Sequence, residues 1–399
     1  MKIATIDLYF FLLEDAHFGY GIQQGNILPS LSYIPGRAVR GGLAGWAIRN
    51  GTVKAGTPIF DRLFLANDSP DSPISFPNCY HRGSLPAPFS LFETKGGAYD
   101  PRTALVAEPL KVYPEEGLTG LDDREKCVVD FLRRAEWPSD LLPMEFEAFR
   151  GSVEHVFERL IPPPPLVLDL RAHHDENLGR VGEHGLYAEE ALPSAPWSRS
   201  APWENVYRGS LRYVEDYEVA KVFEPLEDST FYDTNDQCPI PLDNPPPERL
   251  VFLGRRRVPA LVYGIKRPLV DTQANLPKEL TKNDASGLSI SFISDVAATE
   301  PVLTPDILNS RLGVGRLEKV RVFSRTALAY GYDTTHKRSN DPRLAPKRVL
   351  AAGTCGLFKG DLDKKAKQAL WALSLMGVGE GNRDGFGRFR VNWSVHDIG

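Results

Sequence analysis

Cysteine is scarce in this 399-residue chain: four residues, at 79, 127, 238 and 355, with no Cys-x-x-Cys pair. That spacing weakens any disulfide framework and fits a reducing compartment, so a cytoplasmic location is expected. Long apolar runs are also missing. None approaches the roughly 18 residues of a membrane span, and no membrane partner is expected. The opening Met-Lys-Ile-Ala-Thr-Ile-Asp carries an acid at position 7 and alternates like a strand, which argues against a signal peptide. Nor is there an excess of positive charge. Lys and Arg number 47 against 52 Asp and Glu, for a net charge of −5. A free-standing nucleic-acid binder is usually basic. The balance still permits a local basic groove, or a subunit whose neighbours supply affinity. There is no Gly-Lys-Ser/Thr, so no Walker-type phosphate loop, and no cofactor is expected.

Glycine and arginine are concentrated near the C-terminus. Residues 377–390 read Gly-Val-Gly-Glu-Gly-Asn-Arg-Asp-Gly-Phe-Gly-Arg-Phe-Arg, with five glycines in the first eleven positions. Glycine lets main chain come close to another chain and reach positive φ. Arginine supplies a fork of donors suited to phosphate. Leu362, Ala366, Ala369, Leu370, Leu373 and Met376 recur at helical spacing before the loop. Phe389, Val391 and Trp393 alternate like a strand after it. The order helix, loop, strand is the reverse of a dinucleotide fingerprint. Gly379, Gly381, Asn382, Arg383, Gly385, Gly387 and Arg388 are therefore candidate contacts to a polyanionic backbone. The alternative is a long surface turn.

A similar plan shows near the N-terminus. A strand is expected over Lys2–Leu13, then a Pro35-Gly36 turn and a helix burying Val39, Leu43, Trp46 and Ala47. Gly41, Ala44 and Gly45 share its other side, flanked by Arg37 and Arg40. Each glycine costs such a helix about 1 kcal/mol relative to alanine. The bare face serves either tight packing on the protein's own sheet or the approach of a phosphate backbone. Residues 166–190 suggest a long hairpin bearing His173 and His174, and 211–223 a further strand. Leu250–Lys266 places Arg255, Arg256 and Arg257 between Gly254 and Gly264, like a degenerate copy of the C-terminal loop. A fresh strand opens at Gly287. The chain thus runs twice through one plan. We expect units over residues 1–267 and 286–399, joined by a linker at about 268–286. The 33 prolines cluster in loop insertions, including Pro162–Pro165 and Pro245–Pro247.

These landmarks resemble the RAMP superfamily of CRISPR–Cas proteins. The carriers are Tyr33-Ile-Pro-Gly-Arg-Ala-Val-Arg-Gly-Gly-Leu-Ala and Gly377–Gly387, with His173-His174…Gly179-Arg180 and Gly254-Arg-Arg-Arg…Gly264 between them. Size and order are most similar to the two-domain, Cas-five-like subunit of subtype III-D effector complexes. The likeness is thin over about 55–160 and 225–248. It implies an α+β fold of two ferredoxin-like domains of the RNA-recognition type (βαββαβ). It also implies a non-catalytic subunit of a type III effector ribonucleoprotein in antiviral defence. That subunit would grip guide RNA near its 5′ repeat-derived tag and adjoin other subunits, including the large polymerase-like one, touching target RNA only indirectly. Two departures stand out: the Gly254–Gly264 loop has few glycines, and the acidic balance places affinity in the assembly.

Two alternatives remain open. One is a metal-independent, guide-processing endoribonuclease using His173 or His174 as general base. Adjacent strand residues face opposite ways, so only one could serve. The other is a protein–protein adaptor. Metal-assisted cleavage would need an aspartate such as Asp175, Asp295 or Asp384. A zinc site would need Cys79, His81 and Cys127 with a distant fourth ligand such as His155; a buried cysteine and a surface histidine are the simpler reading. Tyr9, Phe10, Phe11 and Tyr33 are candidates for stacking on bases, Tyr33 foremost, and His174 for a contact at the hairpin tip.

Overall fold

The structure is a computed structural model. It describes residues 1–19, 27–65, 72–94, 111–112, 127–132, 146–149, 151–153, 160–161, 166–175, 180–195, 205–228, 244–254, 256–274, 276–281, 287–297, 300, 302–312, 316–332 and 343–396. The chain is α+β, with mainly antiparallel sheets.

The first unit is built on β1 (Lys2–Leu12), α1 (Gly36–Arg49), β2 (Cys79–His81), β3 (Val206–Val214), α2 (Tyr217–Phe223) and β4 (Val258–Asp271). Its sheet runs β4-β1-β3-β2, with short strands added at the edges. β1 lies at the centre, paired antiparallel to β3 on one side and β4 on the other. Nearly every residue of β1 is buried, which explains its continuous apolar run. Ile6, Leu8 and Phe10 pack beneath α1 and α2 with Val39, Leu43, Trp46, Val222 and Phe223. Tyr9 and Phe11 point the other way, into a smaller cluster with Val206, Leu261 and Tyr263.

The second unit repeats the order with β5 (Leu288–Phe292), α3 (Asp306–Leu312), β6 (Glu318–Phe323), β7 (Cys355–Lys359), α4 (Lys364–Met376) and β8 (Phe389–Val391). Its sheet runs β6-β7-β5-β8. Ile290, Phe292, Leu308, Phe358, Leu370 and Phe389 form its core. Asp363 caps α4 by accepting from the Ala366 N–H at 2.7 Å. Gly377 ends the helix at φ 96°.

Three sequence expectations change in detail. The strand expected over 211–223 ends at Val214, and 217–223 form a helix. Asp216 caps it by accepting from Glu218 and Val219, and Val219, Val222 and Phe223 then fall on its buried side. The linker expected from 268 begins later, because β4 runs to Asp271 and pairs back to Lys2. The Gly254–Gly264 segment is no copy of the C-terminal loop. It is a hairpin turn, with Gly254 at φ 66° and Arg257 at φ 56°, leading into β4. The hairpin over 166–190 forms from Val167–Asp175 and Arg180–Ala191.

Candidate nucleic-acid interface

The Gly-rich loop lies against the first unit. The Phe76 N–H donates to the Arg383 carbonyl (2.7 Å) and the Ser75 hydroxyl to the Asn382 carbonyl (2.8 Å). Gly381 and Gly385 bracket a single 3-10 turn at φ 77° and 83°. The approach is close on both sides. A Cβ on Gly385 would meet the Phe76 carbonyl at 2.5 Å, and one on Gly36 the Asp384 carbonyl at 2.1 Å. Glycine here lets two stretches of the same chain touch.

The loop arginines follow suit, which corrects the expectation that they reach a phosphate. Arg383 donates to the Ser72 hydroxyl at 3.0 Å and to the Leu65 carbonyl. Arg388 donates to the Ser75 hydroxyl and carbonyl and to the Ser210 carbonyl, at 2.6–3.1 Å. Both are buried. At the start of α1, Arg37 and Arg40 flank the Asp384 carboxylate at 3.4 and 2.8 Å. Arg40 also donates to the Phe64 carbonyl. Asp384 thus occupies the place where the sequence suggested an external anion.

The remaining candidates are dispersed. Tyr33 packs its ring on Tyr80, with centroids 5.1 Å apart. Tyr9, Phe10 and Phe11 are at most 2 % exposed, so they are core rather than open stacking platforms. Arg256 grips the buried Glu189 with both terminal nitrogens. Arg257 lies over the Phe252 ring at 5.3 Å. Gly379 and Gly381 sit half-buried at the outer end of the loop. His173 and His174 lie on the Val167–Asp175 strand, with His174 paired to Val181. Arg255, the side chains of His173, His174, Asp175 and Cys127, and all of His155 lie outside the described residues. Cys79 is buried, and burial pushes its thiol up, beyond the ordinary range. His81 faces the Asn205 amide at 3.4 Å. Among the described residues no group of three or more His, Cys, Asp or Glu could hold a metal ion. Of the α1 glycines, Gly42 packs tightly against Leu253, whereas Gly41 and Gly45 have nothing within 4 Å of a built Cβ.

What the structure does assemble is a cleft between the face of the first sheet opposite α1 and α2 and the base of the C-terminal loop. It offers about 770 Å³ of empty space, open solvent included, and its described lining holds six arginines and one carboxylate. The sheet explains the convergence. Residues two apart on a strand share a face. Arg208, Ser210 and Arg212 of β3 therefore line up beside Asp7 and Tyr9 of β1, with Tyr9 opposite Arg208 and Asp7 opposite Ser210. Their neighbours Tyr207, Leu211 and Tyr213 point to the helix side. Arg82 follows β2, Arg267 comes from β4, and Arg388 and Arg390 arrive from the second unit. Tyr80, Leu85 and Ile293 supply apolar wall.

The electrostatics are one-sided. Asp7 accepts from the Ser210 hydroxyl and from Arg267 Nε, both at 2.6 Å. Burial and the nearby Arg390 charge lower the Arg212 guanidinium to about 10. Burial, then the Arg212 charge, holds Arg388 well below the usual arginine value. Arg212 gives one nitrogen to the Leu375 carbonyl at 2.9 Å, while its Nε is buried without a hydrogen-bond partner. Arg208 lies over the Tyr9 ring at 5.0 Å. Sequence reasoning missed Arg82, Arg208, Arg212 and Arg267, and read Arg390 only as part of the 377–390 segment. The available signal was Arg208 and Arg212 alternating with Tyr207, Leu211 and Tyr213.

A second cluster also escaped notice. His396 Nε2 meets the Ser291 hydroxyl and Nδ1 meets Asp130 Oδ2, both at 2.6 Å. The types resemble a nucleophilic triad, but all three residues are buried and none lines the cleft. The cluster ties the strand Cys127–Asp130 to β5 and the C-terminal turn.

No family model matches this chain, and no curated protein does. Among solved structures it is similar to a chain of the type III-B Cmr-beta complex bound to cognate target RNA and AMPPnP. That match has 12% identity and a TM-score of 0.36, covering 88% of this chain and 86% of that one. A protein described as CRISPR-associated protein Cas6 matches at 8% identity and TM-score 0.32, covering 97% and 98%. A chain of a type III-A Csm3–Csm4 subcomplex matches at 11% identity and TM-score 0.31, covering 91% and 95%.

Proposed function

We propose that this chain is a non-catalytic RNA-binding subunit of a type III CRISPR–Cas effector ribonucleoprotein, of the Cas-five-like kind. It holds guide RNA at the 5′ repeat-derived tag, beside the large polymerase-like subunit. Each unit is read as a ferredoxin-like domain of the RNA-recognition type. Strand order supports this: numbering the four core strands of each unit along the chain, both sheets run 4-1-3-2 or its mirror listing, with helices after the first and third. The sequence landmarks of the RAMP superfamily fall where that plan needs them, at the first helix and before the last strand.

One observation carries the RNA reading: the six-arginine cleft on the face of the first sheet opposite α1 and α2. Such a face, cationic with aromatic neighbours, suits a single strand whose phosphates meet guanidinium groups. The Gly-rich loop acts indirectly, as the clasp that brings Arg388 and Arg390 to the cleft.

The test is fluorescence anisotropy of the full chain with single-stranded repeat RNA across a salt series. Each phosphate contact contributes about −0.7 to the slope of log K against log salt. Arg82→Glu with Arg390→Glu is expected to weaken binding at all salts and to flatten that slope by about one to two units. Unchanged affinity and slope in the double variant would remove RNA from the cleft.

A further inference from the structure

Among the described residues, the lining of the cleft is strongly cationic. Arg212, Arg388 and Arg390 converge where β3 meets the base of the C-terminal loop. Burial and then the Arg390 charge lower Arg212, and burial and then the Arg212 charge lower Arg388, so Arg212 is repelled from both sides. Asp7 is the single carboxylate of the lining, and it already holds Arg267 and Ser210. Arg388 is satisfied by neutral oxygens only, which balance its hydrogen bonds but not its charge. The Arg212 Nε is a buried donor with no acceptor. Buried donors are ordinarily paired, and buried charges are ordinarily countered. A tetrahedral dianion or monoanion with several acceptor oxygens meets both needs. A halide would answer the charge without serving several forked donors.

Resting on the RNA-binding reading above, we propose that this corner is a discrete subsite for one phosphate group of a single-stranded ribonucleotide chain. Arg212 and Arg390 bind its oxygens, and Arg388 acts as a fixed charge behind them. Tyr80, Leu85 and Ile293 form the adjoining wall on which that nucleotide's sugar or base rests. Because Arg212 and Arg390 come from different units, the bound phosphate also bridges them. Occupancy and docking of the C-terminal unit are then thermodynamically linked.

A methylphosphonate scan tests this. A set of oligoribonucleotides, each with one phosphate replaced by an uncharged methylphosphonate, is titrated against the full chain and against Arg390→Gln. The expected result is one position at which neutralisation costs the wild-type chain about tenfold in affinity, as for one lost charge-assisted contact. At the same position it costs Arg390→Gln nothing further. Arg82→Ala, which alters an exposed residue at the cleft mouth, should keep the position-specific loss. A loss spread evenly over all positions, with tight RNA binding, would overturn the subsite and leave the RNA reading standing. If no RNA binds, that reading falls, and thermal unfolding with inorganic phosphate or a ribonucleoside monophosphate decides the subsite. A rise in midpoint present in the wild-type chain and absent in Arg390→Gln retains a phosphate site fed by another source. No rise ends the proposal.

Discussion

Replacing Gly36 by alanine tests whether the C-terminal loop is held by close main-chain approach. Gly36 opens α1 with ordinary helical backbone, so alanine is compatible with its φ and ψ and would gain up to about 1 kcal/mol of helix propensity. The added Cβ, however, would lie 2.1 Å from the Asp384 carbonyl oxygen and 2.9 Å from that of Phe76. Carbon atoms sit comfortably at about 3.5–4.0 Å, so the loop must retreat by more than about 1 Å. Both obstructing atoms are backbone, and no rotamer change relieves them. Overpacking of this kind costs about 1–3 kcal/mol. Retreat also strains the Phe76–Arg383 and Ser75–Asn382 bonds, at about 1 kcal/mol each. The net expectation is a destabilisation of about 3 kcal/mol, read as a shift in the urea midpoint, with earlier proteolytic cleavage within 377–388. Gly41→Ala and Gly45→Ala are the controls, since neither new Cβ meets any atom within 4 Å. Each should leave stability unchanged or raise it by up to about 1 kcal/mol. Gly36→Ala as stable as Gly41→Ala would refute the reasoning.

His396→Ala should cost about 3 kcal/mol of unfolding free energy, because it leaves the buried Asp130 carboxylate without its partner; a cost below about 1 kcal/mol in chemical denaturation would show that the Ser291–His396–Asp130 tie carries little. The same variant should bind RNA as the wild type does wherever it remains folded. Asp295 is buried, and burial raises its carboxyl above the ordinary aspartate value, opposed by the Ala352 N–H. Here the unfolded chain ionises first as the pH climbs, so stability falls from the unfolded aspartate value of about 3.9 up to the raised folded value, then levels. Asp295→Asn should therefore be the more stable protein at pH 7, with the advantage vanishing below about pH 3.9. An advantage that persists in acid would contradict burial as the cause.

Much of the fold could be read from periodicity. α1 and α4 announce themselves through apolar residues at helical spacing, and both units begin and end on strands. Where the reading slipped, a local signal outweighed the pattern. Val-Ala-Lys-Val-Phe at 219–223 looks like strand by composition, yet Asp216 supplies a helix cap two residues ahead of Glu218. β4 exceeds its expected end because Pro268 occupies a strand position two residues past Lys266 without ending the strand. The cleft was harder to see. Its arginines come from the turn after β2, from β3, β4 and β8 and from the loop, separated by up to about 300 residues. No window of sequence contains them, and a net charge of −5 averages them away.

The C-terminal loop shows why composition alone misplaces a function. A guanidinium selects for oxygen acceptors in a plane, and main-chain carbonyls at the ends of short strands offer them much as phosphates do. Glycine, likewise, permits approach without specifying what approaches. A segment rich in both is therefore selected for close contact with a polar backbone, whether polypeptide or polynucleotide. What distinguishes the two cases is charge balance. Arg37 and Arg40 share the Asp384 carboxylate inside the chain, and Arg383 adds a fork of neutral carbonyl and hydroxyl partners. Arg212 and Arg388 donate to neutral oxygens, and both line the cleft. The clasp and the cleft are thus one device. By anchoring itself on Ser75, Ser210 and the start of α1, the loop holds cationic side chains from both units around a space that a phosphate would neutralise.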